Sequence, residues 1–445
     1  MTNTYVTTFK STDTGAGSVS GTSGTLLTIL DETLIIGRVF TTANDSAFTD
    51  RSAEARLDGG TAFVLFETPA TGDRAYFGMS VKFARLIFDL ATLGVGGAFV
   101  WEYWNGSWTT LSVTDGTSGF TQDGTVTWTS PSDWVTTSIN SATRYWVRVR
   151  PSSAPSTNPT VNSVSYLGWL QAFTGTNKTA YKQNAKTGYL QFFMRVQDDA
   201  PGAAGAREAR VNGFEAMTDV DTGTGRFPQA SQGVSPGVVI ARKSSTADGT
   251  ARAWLIIADG RTVYVFILTT DVASAYYAWK FGDIYSYVPN DQYGLGVTGR
   301  MVENSITATA ERLGEVSALG TSASYFAARS YTGVGSGIIW GKHQDYLKGG
   351  SGHLGTAGLP YTNPADGKFW VSPVWVTDIA QSVLRGQMRG LWAPLHANAN
   401  FNDGDIIPGS GDLAGRTFMI VKIIYNSASS SGSVAMETSD TWETN

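Results

Sequence analysis

The sequence predicts an all-β protein of two β-rich domains with one or two short helices, and three observations predict it. Strand-length apolar and aromatic runs recur between turn signals at intervals of roughly 8–15 residues. Charged residues make up only 16% of the chain, well under the quarter or so of an average globular protein, and Gly, Ser and Thr fill the difference. The 51 glycines against 14 prolines lie between aromatic runs rather than in tracts, which marks turns joining short strands rather than disorder.

An N-terminal arm and one helix are expected over residues 1–37. In TSGTLLTILDETLII, Leu26, Leu27, Ile29, Leu30 and Leu34 fall near helical spacing behind a Ser/Thr/Gly cluster suited to a cap. Residues 38–166 read as a jelly-roll-like β-sandwich inserted before the rest. AFVWEYW and SWTTLSV flank Asn105-Gly106, and Asp123-Gly124 precedes TVTWT; both dipeptides suit tight hairpins. RYWVRVR alternates, with Tyr145, Val147 and Val149 on one face and Arg144, Trp146, Arg148 and Arg150 on the other. PSSAPSTNPT reads as a linker, or as a loop before a last strand, VNSVSYLGW. Residues 167–445 read as a larger β-meander or sandwich domain. There YLQFFMRV is a strand, Asp248-Gly249 and Asp259-Gly260 punctuate consecutive hairpins, and GRTFMIVKIIY pairs with GSVAMETSDTW around Ser427–Ser431. Thr377–Arg389 reads as a second helix, with Asp378 near its cap and Ile379, Val383 and Leu384 inward. No fixed-period repeat suggests a propeller or solenoid.

Composition also narrows function. A formal charge of −5 with scattered Lys and Arg offers no basic stripe for phosphates, so nucleic acid is not an expected partner. The strongest apolar run, VYVFIL, is strand-sized, and membrane insertion is not expected. The first residues lack the basic start and apolar stretch of an export signal. Without cysteine, disulfides, thiolate metal sites and cysteine nucleophiles are excluded.

Candidate chemistry is sparse. GVSPG carries the spacing of a nucleophile elbow at Ser235, but Pro236 has no N–H to give an oxyanion. His343, His353 and His396 are irregularly spaced for a metal box, and Gly341-Lys342 lacks the remainder of a phosphate loop. Asp219 and Asp221 in TDVDTGTG carry a fragment of calcium-loop spacing without a closing glutamate. The 37 acidic residues make some glycosidase-like carboxyl pair inevitable and single none out. No catalytic, cofactor-binding or metal residue is therefore assigned. Trp101, Trp104, Trp108, Trp128, Trp134 and Trp146 concentrate in the sandwich. Phe99, Trp101 and Tyr103 share a strand face and are expected in the core. Trp146, on the arginine-bearing face, is expected to be exposed. Trp104, Trp108 and Trp146 are thus the candidate glycan or interface aromatics.

Several stretches resemble a group of uncharacterised tailed-bacteriophage virion proteins: TTFKSTDTGAGSVSGTSGTLLTILDETLIIG, AFTGTNKTAYKQ, DDAPGAAGAREARVNGFEAMTDVDTGTGRFP, FGDIYSY, and MRGLWAPLH followed by GDLAGRTFMIV. The likeness runs through residues 5–36 and 168–445. GAFVWEYWNGSWTTLSVTDGT with SDWVTTSINSATRYWVRVR resembles a β-sandwich module of phage tail and surface-binding proteins. The resemblance implies a non-enzymatic structural role at the tail tip or baseplate of a virion assembled in a host cytoplasm. The partners it implies are other virion proteins and further copies of the chain. Binding of host-surface glycan and capsid decoration are the alternatives. The resemblance transfers no active-site residue, and Arg207, Glu208 and Arg210 read as an exposed charge cluster.

Overall fold

The computed structural model describes residues 6–183, 190–199, 205–228, 238–268, 276–299, 325–333, 339–344, 367–378, 381, 383–396, 400–422, 433–439 and 442. The protein is all-β and divides into two compact units. A sandwich unit comprises Phe9–Ser18 and Leu27–Thr174; a larger unit comprises Met1–Thr8, Val19–Leu26 and Gly175–Asn445. In chain order β1 (Thr7–Lys10) precedes α1 (Thr25–Thr33), the Leu-rich helix, which buries Leu26, Leu27, Ile29 and Leu30.

The sandwich unit then runs β2 (Arg38–Ala43), β3 (Ala47–Asp50), α2 (Ser52–Arg56), β4 (Phe63–Val64), β5 (Arg74–Met79), β6 (Arg85–Thr92), β7 (Ala98–Trp104), β8 (Trp108–Thr110), β9 (Thr114–Asp115), β10 (Gly124–Thr127), β11 (Thr137–Ile139), β12 (Ala142–Ser153) and β13 (Thr160–Ser165). One sheet orders β3-β2-β5-β12-β7-β8 with β11 on β12, and the other β4-β13-β6-β10-β9. The inward residues of alternate positions make an aromatic core. Phe77 meets Phe88 at 5.5 Å, Phe88 and Trp101 lie 6.2 Å apart, and Phe120 closes the group at 5.3 Å from Phe88. Trp101 and Tyr103 are buried here as their strand parity requires, with Phe99 partly so. The β7–β8 turn spans Asn105, Gly106 and Ser107, because Trp104 pairs with Trp108; Gly106 takes φ +110° there.

β14 (Leu170–Gly175) leads in sequence to the larger unit. There β15 (Lys178–Lys182), β16 (Phe193–Gln197) and β17 (Glu208–Phe214) are followed by the two-residue pair β18 (Ala216–Met217) and β19 (Gly223–Thr224), then β20 (Val239–Arg242). β15, β16, β17 and β20 pair antiparallel in that order. The rest is one long antiparallel sheet. It comprises β21 (Trp254–Ala258), β22 (Thr262–Leu268), β23 (Tyr276–Ser286), β24 (Leu295–Gly299), β25 (Tyr325–Ala327), β26 (Ile339–Gln344), β27 (Val371–Asp378), β28 (Val383–Pro394), β29 (Ile406–Pro408), β30 (Thr417–Lys422) and β31 (Ser433–Glu437). Its order is sequential to β28, then β31-β30-β29, and β23 also pairs with β28 through Ile284–Ser286. Tyr264, Phe266, Met388, Leu391, Val434 and Met436 are among its core residues.

Three expectations need correction or narrowing. Thr377–Asp378 and Val383–Arg389 are strand rather than helix: they belong to the paired β27 and β28, with Thr377 opposite Leu384 and Asp378 opposite Val383. Along β27 every second residue, Ser372, Val374, Val376 and Asp378, is buried, so a period of two governs. Asp378 caps no helix; its carboxylate accepts from the Ser330 hydroxyl at 2.7 Å and from the Gln381 N–H at 3.2 Å. Ile379 lies outside the described residues. Of YLQFFMRV, Phe193–Val196 is strand and Leu190–Phe192 is not, while Tyr189 lies outside the described residues. The closing pair is observed as β30–β31, Phe418 opposite Glu437, while Ser427–Ser431 lies outside the described residues.

Candidate binding surface

The outer face of the six-strand path in the sandwich carries the aromatic candidates. Strand parity places Phe40 of β2, Phe48 of β3, Tyr76 of β5, Glu102 and Trp104 of β7, Trp108 of β8, and Trp146, Arg148 and Arg150 of β12 on it. The three sequence-predicted tryptophans do come together, but not with the expected exposure. Trp146 is 0% exposed. It stands opposite Gly78, where a Cβ would lie 2.6 Å from the indole, so the missing side chain is the space the ring occupies. Phe40 lies over it at 5.4 Å and Tyr76 meets it edge-on at 6.4 Å. Its indole N–H donates to the Thr137 carbonyl at 3.0 Å, which removes the polar reason for facing water.

Trp104 and Trp108 are half-buried and meet edge-to-face at 5.4 Å. Arg148 covers one face of Trp108, its guanidinium carbon 4.1 Å from the ring centre. That guanidinium is held by Glu102 at 2.7 Å, Asp45 at 3.3 Å and the Tyr76 hydroxyl at 3.1 Å, while Arg150 takes the other Glu102 oxygen at 3.2 Å. Burial, together with its hydrogen bond to Asp45, pushes the Tyr76 phenol above its ordinary range. What remains accessible is a Trp104–Trp108 edge beside a hairpin turn, on a charge network already satisfied within the protein. Trp101, Trp128 and Trp134 are buried.

The other candidates resolve separately. Asp221 is engaged by Lys178 at 2.9 Å to each oxygen and by Arg195 at 2.6 Å, and these two cations hold its carboxyl below the usual range. Asp219 accepts from the Asp221 N–H at 2.7 Å, so the pair is a turn tied to protein cations. Among the described residues no group of three or more His, Asp or Glu is arranged to hold a metal ion. His396 is buried, stacks on Phe369 at 5.5 Å and accepts the Trp370 N–H at Nε2. Ser235 and His353 lie outside the described residues, as does the side chain of His343. The expected exposed cluster is corrected: Glu208 is 0% exposed and pairs with Arg242 at 2.6 Å, while Arg207 and Arg210 are half-buried.

Sequence reasoning passed over a concave site in the larger unit. A cleft of about 400 Å³ opens beside β23 and the loop to β24, with Gln183, Arg261, Asp283, Tyr285, Asn290 and Gln292 on its lining. Tyr285 and Trp375 both stand opposite Gln387, so the three lie abreast on one sheet face. Tyr287 joins them, 5.8 Å from Tyr285 and 6.1 Å from Trp375, its hydroxyl donating to Gln387 Oε1 at 3.1 Å. The loop wall is fixed from behind by Arg385, which grips both Asp291 oxygens at 2.7 Å with neither residue more than 1% exposed at its side chain. The alternation of Asp283, Tyr285 and Tyr287 was visible in FGDIYSY, but Trp375 comes from a strand some ninety residues away.

No protein-family model matches this chain, and no curated protein matches it.

Proposed function

We propose that this chain is a non-catalytic structural protein of a tailed-bacteriophage particle, built into the tail tip or baseplate and acting through contacts with other virion proteins and with copies of itself. One observation carries the reading. In both units buried charged groups are spent on one another, as with Arg148 on Glu102, Arg242 on Glu208, Arg385 on Asp291 and Arg389 on Asp259, or on backbone carbonyls, as with Arg85 and Lys280. Pairs of this kind give rigidity and geometry rather than a poised nucleophile or proton donor. The sheet-built architecture and the resemblance of residues 5–36 and 168–445 to virion proteins support the same role. The test is the copy number and position of the chain in intact particles by cryo-electron microscopy without imposed symmetry. Three or six copies at the tail end is the expected result. Hundreds of copies on the head would replace it with capsid decoration, and absence from particles would overturn it.

The accessible Trp104–Trp108 edge favours a second reading, in which the sandwich recognises a host-surface glycan. Its test is adsorption of the purified chain to host cells, with Trp104→Ala and Trp108→Ala expected to remove it.

A further inference from the structure

We propose that the cleft beside β23 in the larger unit is a binding site for a neutral saccharide, with Tyr285 on its lining and Tyr287 and Trp375, which continue from Tyr285 outside the lining, as a stacking platform at its edge. Three features of the site select that chemistry. First, the charges on the lining are balanced by protein partners. Arg261 lies 3.2 Å from Asp283, Arg389 2.6 Å from Asp259, and Asp291 is gripped by Arg385. An anion or cation entering the cleft would therefore have to compete with an existing ion pair, whereas an uncharged polar molecule would not.

Second, the exposed rim offers amides. Asn290 and Gln292 project from the loop wall as exposed side chains, and Gln183 donates to Asp283 Oδ1 at 3.1 Å from the floor. An amide presents both a donor and an acceptor, the pairing that a hydroxyl array requires. Third, the aromatic side chains are available: Tyr287 is 43% exposed, and Tyr285 and Trp375 are partly exposed beside it. Aromatic rings beside convergent polar groups suit a molecule with apolar C–H faces and a hydroxylated edge. The volume of about 400 Å³ falls within the range of small-ligand sites. The Arg385–Asp291 pair means the wall need not be ordered on binding, which removes an entropic cost.

The site belongs to a different unit from the Trp104–Trp108 edge and does not depend on the virion assignment, so the two ideas fail separately. The experiment screens the full-length chain against an array of neutral, sialylated and amine-bearing oligosaccharides and titrates the hits calorimetrically. Binding of neutral oligosaccharides is expected, weakened at least tenfold by Trp375→Ala and by Gln292→Ala and unchanged by Leu93→Ala, at an exposed residue of the sandwich unit. Gln292 is exposed, so its substitution reports on binding even if Trp375→Ala fails to fold. The proposal is overturned if no neutral glycan binds, if only charged glycans bind, or if Gln292→Ala and Trp375→Ala bind as wild type.

Discussion

Gly78 and Trp146 show how one position sets the character of a surface. Parity along RYWVRVR correctly assigns Trp146 to the arginine-bearing face, but parity says nothing about what lies opposite, and opposite lies a residue without a side chain. The indole occupies the space a Cβ would need, Phe40 and Tyr76 close over it, and an outward-facing tryptophan becomes a core residue. Gly78→Val should therefore act as an overpacking substitution and cost about 1–3 kcal/mol, since Gly78 needs no unusual backbone geometry. Trp146→Ala should cost about 3–5 kcal/mol. Because the two side chains compete for one volume, the double variant should lose clearly less than the sum, a coupling read from urea denaturation of the four proteins. Strict additivity would mean that Gly78 is not what seats the ring.

At the scale of an element, the β23–β24 loop is the most instructive. Its sequence, from Tyr287 to Gly294, contains Pro, Asn, Asp and Gly and reads as an ordinary surface turn. What makes it a fixed wall is Arg385, almost a hundred residues later, whose guanidinium grips both Asp291 oxygens and also donates to the Arg329 carbonyl at 2.7 Å. Ser286 and the Tyr293 N–H complete the coordination of the same carboxylate. Asp291→Ala leaves the buried Arg385 with only the more distant Asp378, at 3.9 Å, as counter-charge and should destabilise the larger unit by up to about 3–5 kcal/mol. Its amides from Val288 to Tyr293 should exchange with solvent far faster, as seen by hydrogen-exchange mass spectrometry. Unchanged protection in that loop would show that the pair does not hold it. The same dependence on distant partners explains the helix expected at Thr377–Arg389. Its local apolar spacing permits a helix, Pro373 interrupts the strand pattern just upstream, and only the pairing of β27 with β28 reveals the alternation as dominant. By contrast, the Leu-rich helix and the hairpins at Asn105-Gly106 and Asp259-Gly260 were legible, because each is specified by residues within one short window.

Across the whole molecule, both units bury tyrosine hydroxyls, and this couples folding to alkaline pH. Tyr166 in the sandwich unit is buried and donates to the Thr33 carbonyl, and Tyr264 in the larger unit donates to the Arg389 carbonyl at 2.7 Å. Burial raises both phenols well above their ordinary value near 10, as it does Tyr76. A folded-state pKa above the unfolded one means that the proton favours the fold. This contribution is fully present below about pH 10 and declines as pH rises from there towards the folded-state values, each such phenol steepening the fall by about 1.4 kcal/mol per pH unit. Absorbance at 295 nm should first rise gradually as exposed tyrosines ionise. It should then rise in a steep step that coincides with loss of far-UV circular dichroism, because the buried phenols can ionise only when their unit opens. Tyr166→Phe should lower stability at pH 7 by about 1 kcal/mol through the lost hydrogen bond while flattening the alkaline decline of the sandwich unit. If all the tyrosines titrate smoothly with the circular dichroism intact, these hydroxyls are reachable by hydroxide in the folded state and the coupling is absent.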